Sequence, residues 1–189
     1  MNRAELRETL GEPAELVRKK IADRLNPLTR QFVERSPFVV VATAHPDGGL
    51  DVSPRGDPAG FVRILDERTL LLPDRPGNKL ADTLTNLLGD DRIALLFLIP
   101  GVNDTFRVNG RARIVDDPEL LAASEVEEAY TQCPKALLRS ELWNPERHVD
   151  RSELPASGAI LRAVADSELD VEEYEDARTE RYRRREGFY

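Results

Sequence analysis

Apolar residues change their period several times along the chain, and each change marks a predicted element. In Ala14–Leu25, Leu16, Val17, Ile21 and Leu25 recur at helical spacing. Asn26-Pro27 breaks that segment and opens a second helix through Phe32 and Val33. Phe38–Ala44 is a β-rich run closed by His45-Pro46-Asp47-Gly48-Gly49, which is dense turn chemistry. Leu50–Ser53 reads as a short returning strand and Pro54–Pro58 as a loop. Phe61–Leu65 and Thr69–Leu72 form a second hairpin around Asp66-Glu67-Arg68.

After the loop Pro73–Gly77, Asn78 is expected to cap a helix over Lys79–Leu88. Leu80, Leu84, Leu87 and Leu88 would form its stripe, and Gly89 would end it. Ile93–Ile99 is apolar on both faces, as a buried central strand should be. Thr105–Val115 alternates strictly, with Phe106, Val108, Gly110, Ala112 and Ile114 on one face. Arg107, Asn109, Arg111 and Arg113 share the other. Asp116-Asp117-Pro118 starts a helix through Ala123, and Pro134–Leu142 reads as helical. Gly158–Ala165 reads as a last apolar strand and Leu169–Arg185 as a charged helix.

Six or seven short strands, joined mostly by hairpin-length turns, predict an antiparallel sheet closed into a barrel. Helices are expected at both ends of the chain and between strands. The organisation expected is a helical extension over residues 1–35, a barrel over 36–166 and a charged helix over 167–189.

Composition narrows the partners. The 189 residues suit one domain with terminal extensions. A net charge of −8 argues against nucleic acid and against an anionic membrane surface as partners. The charge is uneven, however. Ser53–Arg113 holds nine basic and eight acidic residues, whereas the acid is concentrated in blocks such as Asp116–Glu128 and Asp166–Asp176. A near-neutral, cation-bearing segment inside an acidic chain suits a small anionic ligand.

Only Lys19, Lys20, Lys79 and Lys135 of the 27 basic residues are lysines. Arginine's planar fork favours bidentate carboxylate and phosphate contacts. Cys133 is the single cysteine, which excludes an internal disulfide, and it reads as a small buried hydrophobe. His45 and His148 read as turn or surface residues, and no metal site is expected. The polar start Asn2–Arg7 lacks the apolar core of a secretion signal, and Ile93–Pro100 is too short to span a membrane. The expectation is a soluble cytoplasmic protein.

Two loops carry the candidate chemistry. Asp74-Arg75-Pro76-Gly77-Asn78-Lys79 brings two cations and an amide to an expected helix N-terminus, where free N–H groups and the dipole favour an anion. Ser53-Pro54-Arg55-Gly56-Asp57 places a hydroxyl and a guanidinium beside a glycine. No dinucleotide-binding glycine pattern, nucleophile elbow or zinc-protease motif appears, and Gly77-Asn78-Lys79 lacks the rest of a Walker loop. No catalytic side chain is identifiable.

An ordered series of motifs carries a resemblance. Ser36–Thr43, Asp51–Pro58, Gly60–Arg63 and Leu72–Lys79 come first. Asn86-Leu87, Leu95–Gly101, Thr105–Ala112, Lys135–Ser140 and Leu142-Trp143 follow. This series resembles the pyridoxamine-phosphate-oxidase-like FMN-binding split barrels, specifically a bacterial subgroup of FMN-dependent enzymes.

The resemblance implies a mainly β fold: a six-stranded antiparallel split β-barrel of Greek-key type with flanking helices. It implies a homodimer with FMN in a groove between subunits and a small-molecule substrate. Ser53, Arg55, Arg75, Asn78 and Lys79 would hold the phosphate. Backbone around Asp57, Pro73 and Asp74 would border the flavin ring, and Thr105 would lie near its polar edge. Lys135, Ser140 and Trp143 would complete the pocket from the partner subunit. A deazaflavin-dependent reductase or a non-catalytic flavin-binding protein on the same fold are the alternatives. The oxidases proper end in a Trp- and Arg-rich substrate segment. Leu169–Tyr189 departs from it, so the resemblance implies FMN binding without naming the substrate.

Overall fold

A computed structural model describes residues 2–75, 77, 79–115 and 121–188. The chain divides into two compact units. The first comprises Met1–Asp74 and Ala81–Ser140, the second Arg75–Leu80 and Glu141–Tyr189.

The first unit is a mainly antiparallel sheet with flanking helices. Its strands are β1 (Phe38–Ala44), β2 (Leu50–Gly56), β3 (Arg63–Ile64), β4 (Thr69–Leu72), β5 (Arg92–Leu98), β6 (Thr105–Val115) and β7 (Leu121–Gln132). Their order is β2-β1-β5-β6-β7-β4-β3, so seven strands pair, within the six or seven read from the pattern and one more than the six of the barrel that the resemblance implies. The ladder is not closed by hydrogen bonds and ends on β2 and β3.

The helices of this unit are α1 (Arg3–Leu10), α2 (Glu15–Lys19), α3 (Pro27–Arg35), α4 (Asp82–Gly89) and α5 (Lys135–Ser140). At the start of α3, Asn26 accepts from the Leu28 and Thr29 N–H groups and Pro27 sits in the first turn, as its sequence predicts. The Ala14–Leu25 expectation holds less well. Only Glu15–Lys19 is helical, Leu16 is 79% exposed, and Ala22 pairs instead with Ala129 of β7. Leu25 alone of the expected stripe is buried.

One face of the sheet forms the core. Val39, Val41, Leu95, Phe97, Phe106 and Val108 are fully buried there. Phe32 of α3 stacks on Phe106 with ring centroids 5.8 Å apart, and Phe97 meets Phe106 at 6.1 Å. Aromatic pairs at these separations add to simple area burial.

The alternation predicted for β6 is present, with Arg111 and Arg113 exposed and Phe106, Val108 and Ala112 buried. At Asn109/Gly110 the β6–β7 register shifts. A Cβ on Gly110 would lie 1.8 Å from the Glu125 carbonyl oxygen, so only glycine permits this approach of the two backbones.

Four sequence expectations are corrected. Leu121–Ala123 lies in β7, not in a helix; the expected helix start, residues 116–120, lies outside the described residues. Pairing with β6 along the full strand overrides the helical propensity of its Ala and Glu residues. Pro54-Arg55-Gly56 continues strand β2 instead of leaving it. Proline fits because β2 is an edge strand, where a donor can be spared. Gly158–Ala165 is helical, in α6 (Ser157–Ala165) of the second unit. Cys133 is exposed.

The second unit pairs α6 with α7 (Val171–Arg183), preceded by two short 3-10 turns. A Cβ on Gly158 would come within 2.9 Å of the Tyr174 ring, and the Gly158 N–H donates to Glu175 at 2.6 Å. A small residue on α6 thus lets the two helices pack closely.

Candidate functional site

The two faces of β2 differ in chemistry. Leu50 and Val52 project outward, 85% and 65% exposed. Asp51, Ser53 and Arg55 alternate with them and are half-buried. In register, Asp51, Ser53 and Arg55 stand opposite Thr43, Val41 and Val39, whose side chains line the core. The polar stripe of β2 is therefore the rim of the core face.

Helix α4 supplies the side chains that meet this rim. Its buried residues are Thr83, Asn86 and Leu87, whereas Leu80 and Leu88 are exposed. The predicted leucine stripe is corrected accordingly, because the helix starts at Asp82 and turns a partly polar face inward. Arg55 Nη2 donates to Thr83 Oγ1 at 3.1 Å, and Thr83 Oγ1 donates to Asp51 Oδ2 at 3.4 Å. Arg55 Nη1 donates to the Pro54 carbonyl at 3.2 Å. Arg55 Nε lies 3.8 Å from Asp74 Oδ1, with the two side chains 23% and 27% exposed. Asn86 Nδ2 donates to Thr43 Oγ1 at 3.0 Å, and both residues are buried.

The structure thus brings Arg55 and Asp74 together among the predicted residues of the first unit, with Ser53 on the same face. Pro73 is buried beside Asp74, and Asp57 is half-buried beyond the strand end, its N–H donating to the Pro37 carbonyl. Thr105 is buried at the start of β6, opposite Gln132. Lys135 and Ser140 lie on α5 with exposed side chains.

Arg75, Lys79 and Trp143 belong to the second unit. Arg75 and Trp143 are half-buried and Lys79 is exposed. Lys79 takes φ 66, a left-handed backbone conformation that costs a non-glycine residue about 1–2 kcal/mol. Asn78 lies outside the described residues. The expectation that it caps α4 is replaced by Ala81 at the N-cap position, with φ 57 and no side-chain cap.

The donor set of Arg55 fits a phosphate. A guanidinium that is mostly desolvated, and oriented by a hydroxyl and a carbonyl, offers directed charge-assisted hydrogen bonds. Asp74 competes for the same cation, so an incoming anion would have to share or displace that contact. Thr83 and Asp51 were missed as members of this cluster. Thr83 and Asn86 spaced by three residues on an otherwise leucine-rich helix were the signal available.

A cavity of about 760 Å³ opens elsewhere, beside Arg68, Asp91, Arg111, Arg113 and Glu125. It contains none of the predicted residues. Arg111 is bound there by Asp91 at 2.6 Å and by Glu127 at 3.0 Å, and Arg68 pairs with Asp23. Acidic partners hold both Arg68 and Arg111, which suits a surface ion-pair network better than an anion site. Among the described residues, no group of His, Cys, Asp and Glu is arranged to hold a metal ion. Among them, no helix is long and apolar enough to cross a membrane.

The chain is similar to several solved structures over somewhat more than half its length. HupZ of Group A Streptococcus is 15% identical, with a TM-score of 0.47 over 57% of this chain and 93% of that one. An F420 reductase is also 15% identical, with a TM-score of 0.42 over 57% and 98%. A FAD-binding protein from Mesorhizobium loti is 13% identical, with a TM-score of 0.40 over 60% and 99%. No curated protein matches the sequence. A family model described as pyridoxamine 5'-phosphate oxidase matches residues 25–153, a span that holds the whole sheet and the Arg55–Thr83–Asp74 cluster. With more than half of its length matched, the chain belongs to the pyridoxamine 5'-phosphate oxidase family.

Proposed function

We propose that the protein binds FMN and acts as an FMN-dependent oxidoreductase on a small molecule. The observation that carries this reading is the Arg55 guanidinium, held at the rim of the core face by Thr83 and Pro54 inside the family-matched segment. A cation so placed offers fixed donors to a dianionic phosphate ester. Ser53 on the same face adds a hydroxyl, and Arg75, Asn78 and Lys79 supply the second cationic loop. The flavin, when bound, supplies the hydride or electron transfer.

The chain's own task is to bind, orient and exclude water. Backbone around Asp57, Pro73 and Asp74 borders the ring, and Thr105 lies toward its polar edge. The protein works as a homodimer with the cofactor between subunits, and Lys135, Ser140 and Trp143 of each subunit complete the pocket of the other. Exposed Leu50 and Val52, backed by half-buried Val40, Ala42, Ala94 and Leu96 in adjacent register, support a sheet face that a second copy covers.

The test is the native protein's absorbance spectrum with mass identification of its cofactor. A flavin band in the blue and the mass of FMN are expected. A deazaflavin mass, or no band together with no uptake of added FMN, overturns the proposal.

A further inference from the structure

We infer that Thr83 is a positioning residue that sets the Arg55 guanidinium for a phosphate group. The inference rests on the reading of Arg55 as a phosphate ligand and adds how that ligand is aimed. Thr83 is 3% exposed, so its hydroxyl has no water to serve. It accepts from Arg55 Nη2 at 3.1 Å and donates to Asp51 Oδ2 at 3.4 Å. The Asp51 carboxylate can only accept, so it draws the Thr83 proton toward itself. The hydroxyl's lone pairs are then left facing the arginine.

This polarity matters because Arg55 has a second attraction. Asp74 lies 3.8 Å from its Nε and would pull the fork toward the loop. The Thr83 hydroxyl anchors the opposite end of the fork and opposes that rotation. An arginine so held loses little rotamer freedom when an anion arrives, which is the advantage of a preorganised ligand. The chain Asp51–Thr83–Arg55 joins β2, α4 and back to β2, so the fork is tied to the scaffold and not only to a loop.

The discriminating measurement compares FMN with riboflavin, which shares the ring and lacks the phosphate. Both are titrated into flavin-free protein and followed by flavin fluorescence. Thr83→Val keeps the volume and removes the hydroxyl. It is expected to weaken FMN about tenfold, the scale of one hydrogen bond to a charged group, and to leave riboflavin unchanged. Thr83→Ser restores FMN affinity. Asp51→Asn, which weakens the acceptor that orients the hydroxyl, moves FMN affinity in the same direction should Thr83→Val fold poorly.

Inorganic phosphate gives a readout without flavin: it raises the wild-type melting midpoint and raises that of Thr83→Val less. Equal weakening of both flavins, or no weakening of FMN, overturns the positioning role. If the wild type itself binds FMN no more tightly than riboflavin, the phosphate reading of Arg55 falls and the inference with it. A wild-type preference for FMN that persists undiminished in Thr83→Val removes the positioning role alone.

Discussion

The side-chain amide of Asn86 donates to the hydroxyl of Thr43 across 3.0 Å, and each residue is only 3% exposed. This buried pair fastens α4 to β1 three residues beyond Thr83, and so fixes the helix that meets Arg55. Asn86→Ala is expected to cost about 1–3 kcal/mol, because it leaves a buried hydroxyl without its donor. Denaturant unfolding of Asn86→Ala, Thr43→Val and the double variant measures the coupling. Strictly additive losses would show that the pair contributes nothing of its own.

Gly110 is expected to tolerate no side chain. A Cβ 1.8 Å from the Glu125 carbonyl forces the β6–β7 bulge apart. Gly110→Ala should lose about 3 kcal/mol or more of unfolding free energy. A thermal midpoint within a degree or two of wild type would mean that the two strands can separate there at little cost.

The proposed phosphate site separates arginines by position. Arg55→Ala, and Arg75→Ala combined with Lys79→Ala, should each release FMN far more readily than Arg68→Ala, whose guanidinium is already paired with Asp23. The equilibrium flavin content after dialysis measures this. Similar losses in all three variants would remove the phosphate role.

Association is expected to use the outward face of β2. Val52 is 65% exposed there, and Val52→Asp places a charge in the proposed dimer face. Sedimentation should show a wild-type dimer and a monomeric variant with reduced flavin content. A variant that stays dimeric places the contact elsewhere.

Among the carboxylates held below their ordinary range, Asp90 lies at the start of β5. The Arg92 side chain and N–H hydrogen-bond to Asp90 and lower its carboxyl to about 2 from an ordinary 3.8. The folded state therefore binds this proton less readily than the unfolded chain. Its contribution is complete above about pH 4 and disappears as the pH falls toward about 2. Asp90→Asn should show a shallower loss of stability across that window. Identical slopes in the two proteins would be evidence against the linkage.

The legible parts of the fold were those whose pattern is strict. The β1 boundaries Phe38–Ala44 and the β6 boundaries Thr105–Val115 follow directly from their apolar runs and alternation. Strand β7 was hidden because its buried residues do not alternate evenly. Val126 and Ala129 face inward with exposed Glu127 and Glu128 between them, the trace left by the bulge opposite Gly110. Gly158–Ala165 is a short apolar run, and length alone does not separate a strand from a helix there.

In the candidate site, Arg55 and Asp74 stood out by residue type and loop context. Thr83 and Asp51 did not, because their meeting depends on a helix folding back over a strand some thirty residues earlier. The three-residue spacing of Thr83 and Asn86 marks a polar helix face but does not name the strand residues that it meets.

Pro54 sits in the outermost strand, opposite Val40, and carries no N–H. A further strand laid along that rim would find a missing donor midway and could not complete its ladder. Fibre-like growth by strand addition is thereby blocked at β2. In the proposed dimer, contact between copies falls instead on the apolar side of the sheet, where two identical surfaces can meet once and leave nothing over for a third.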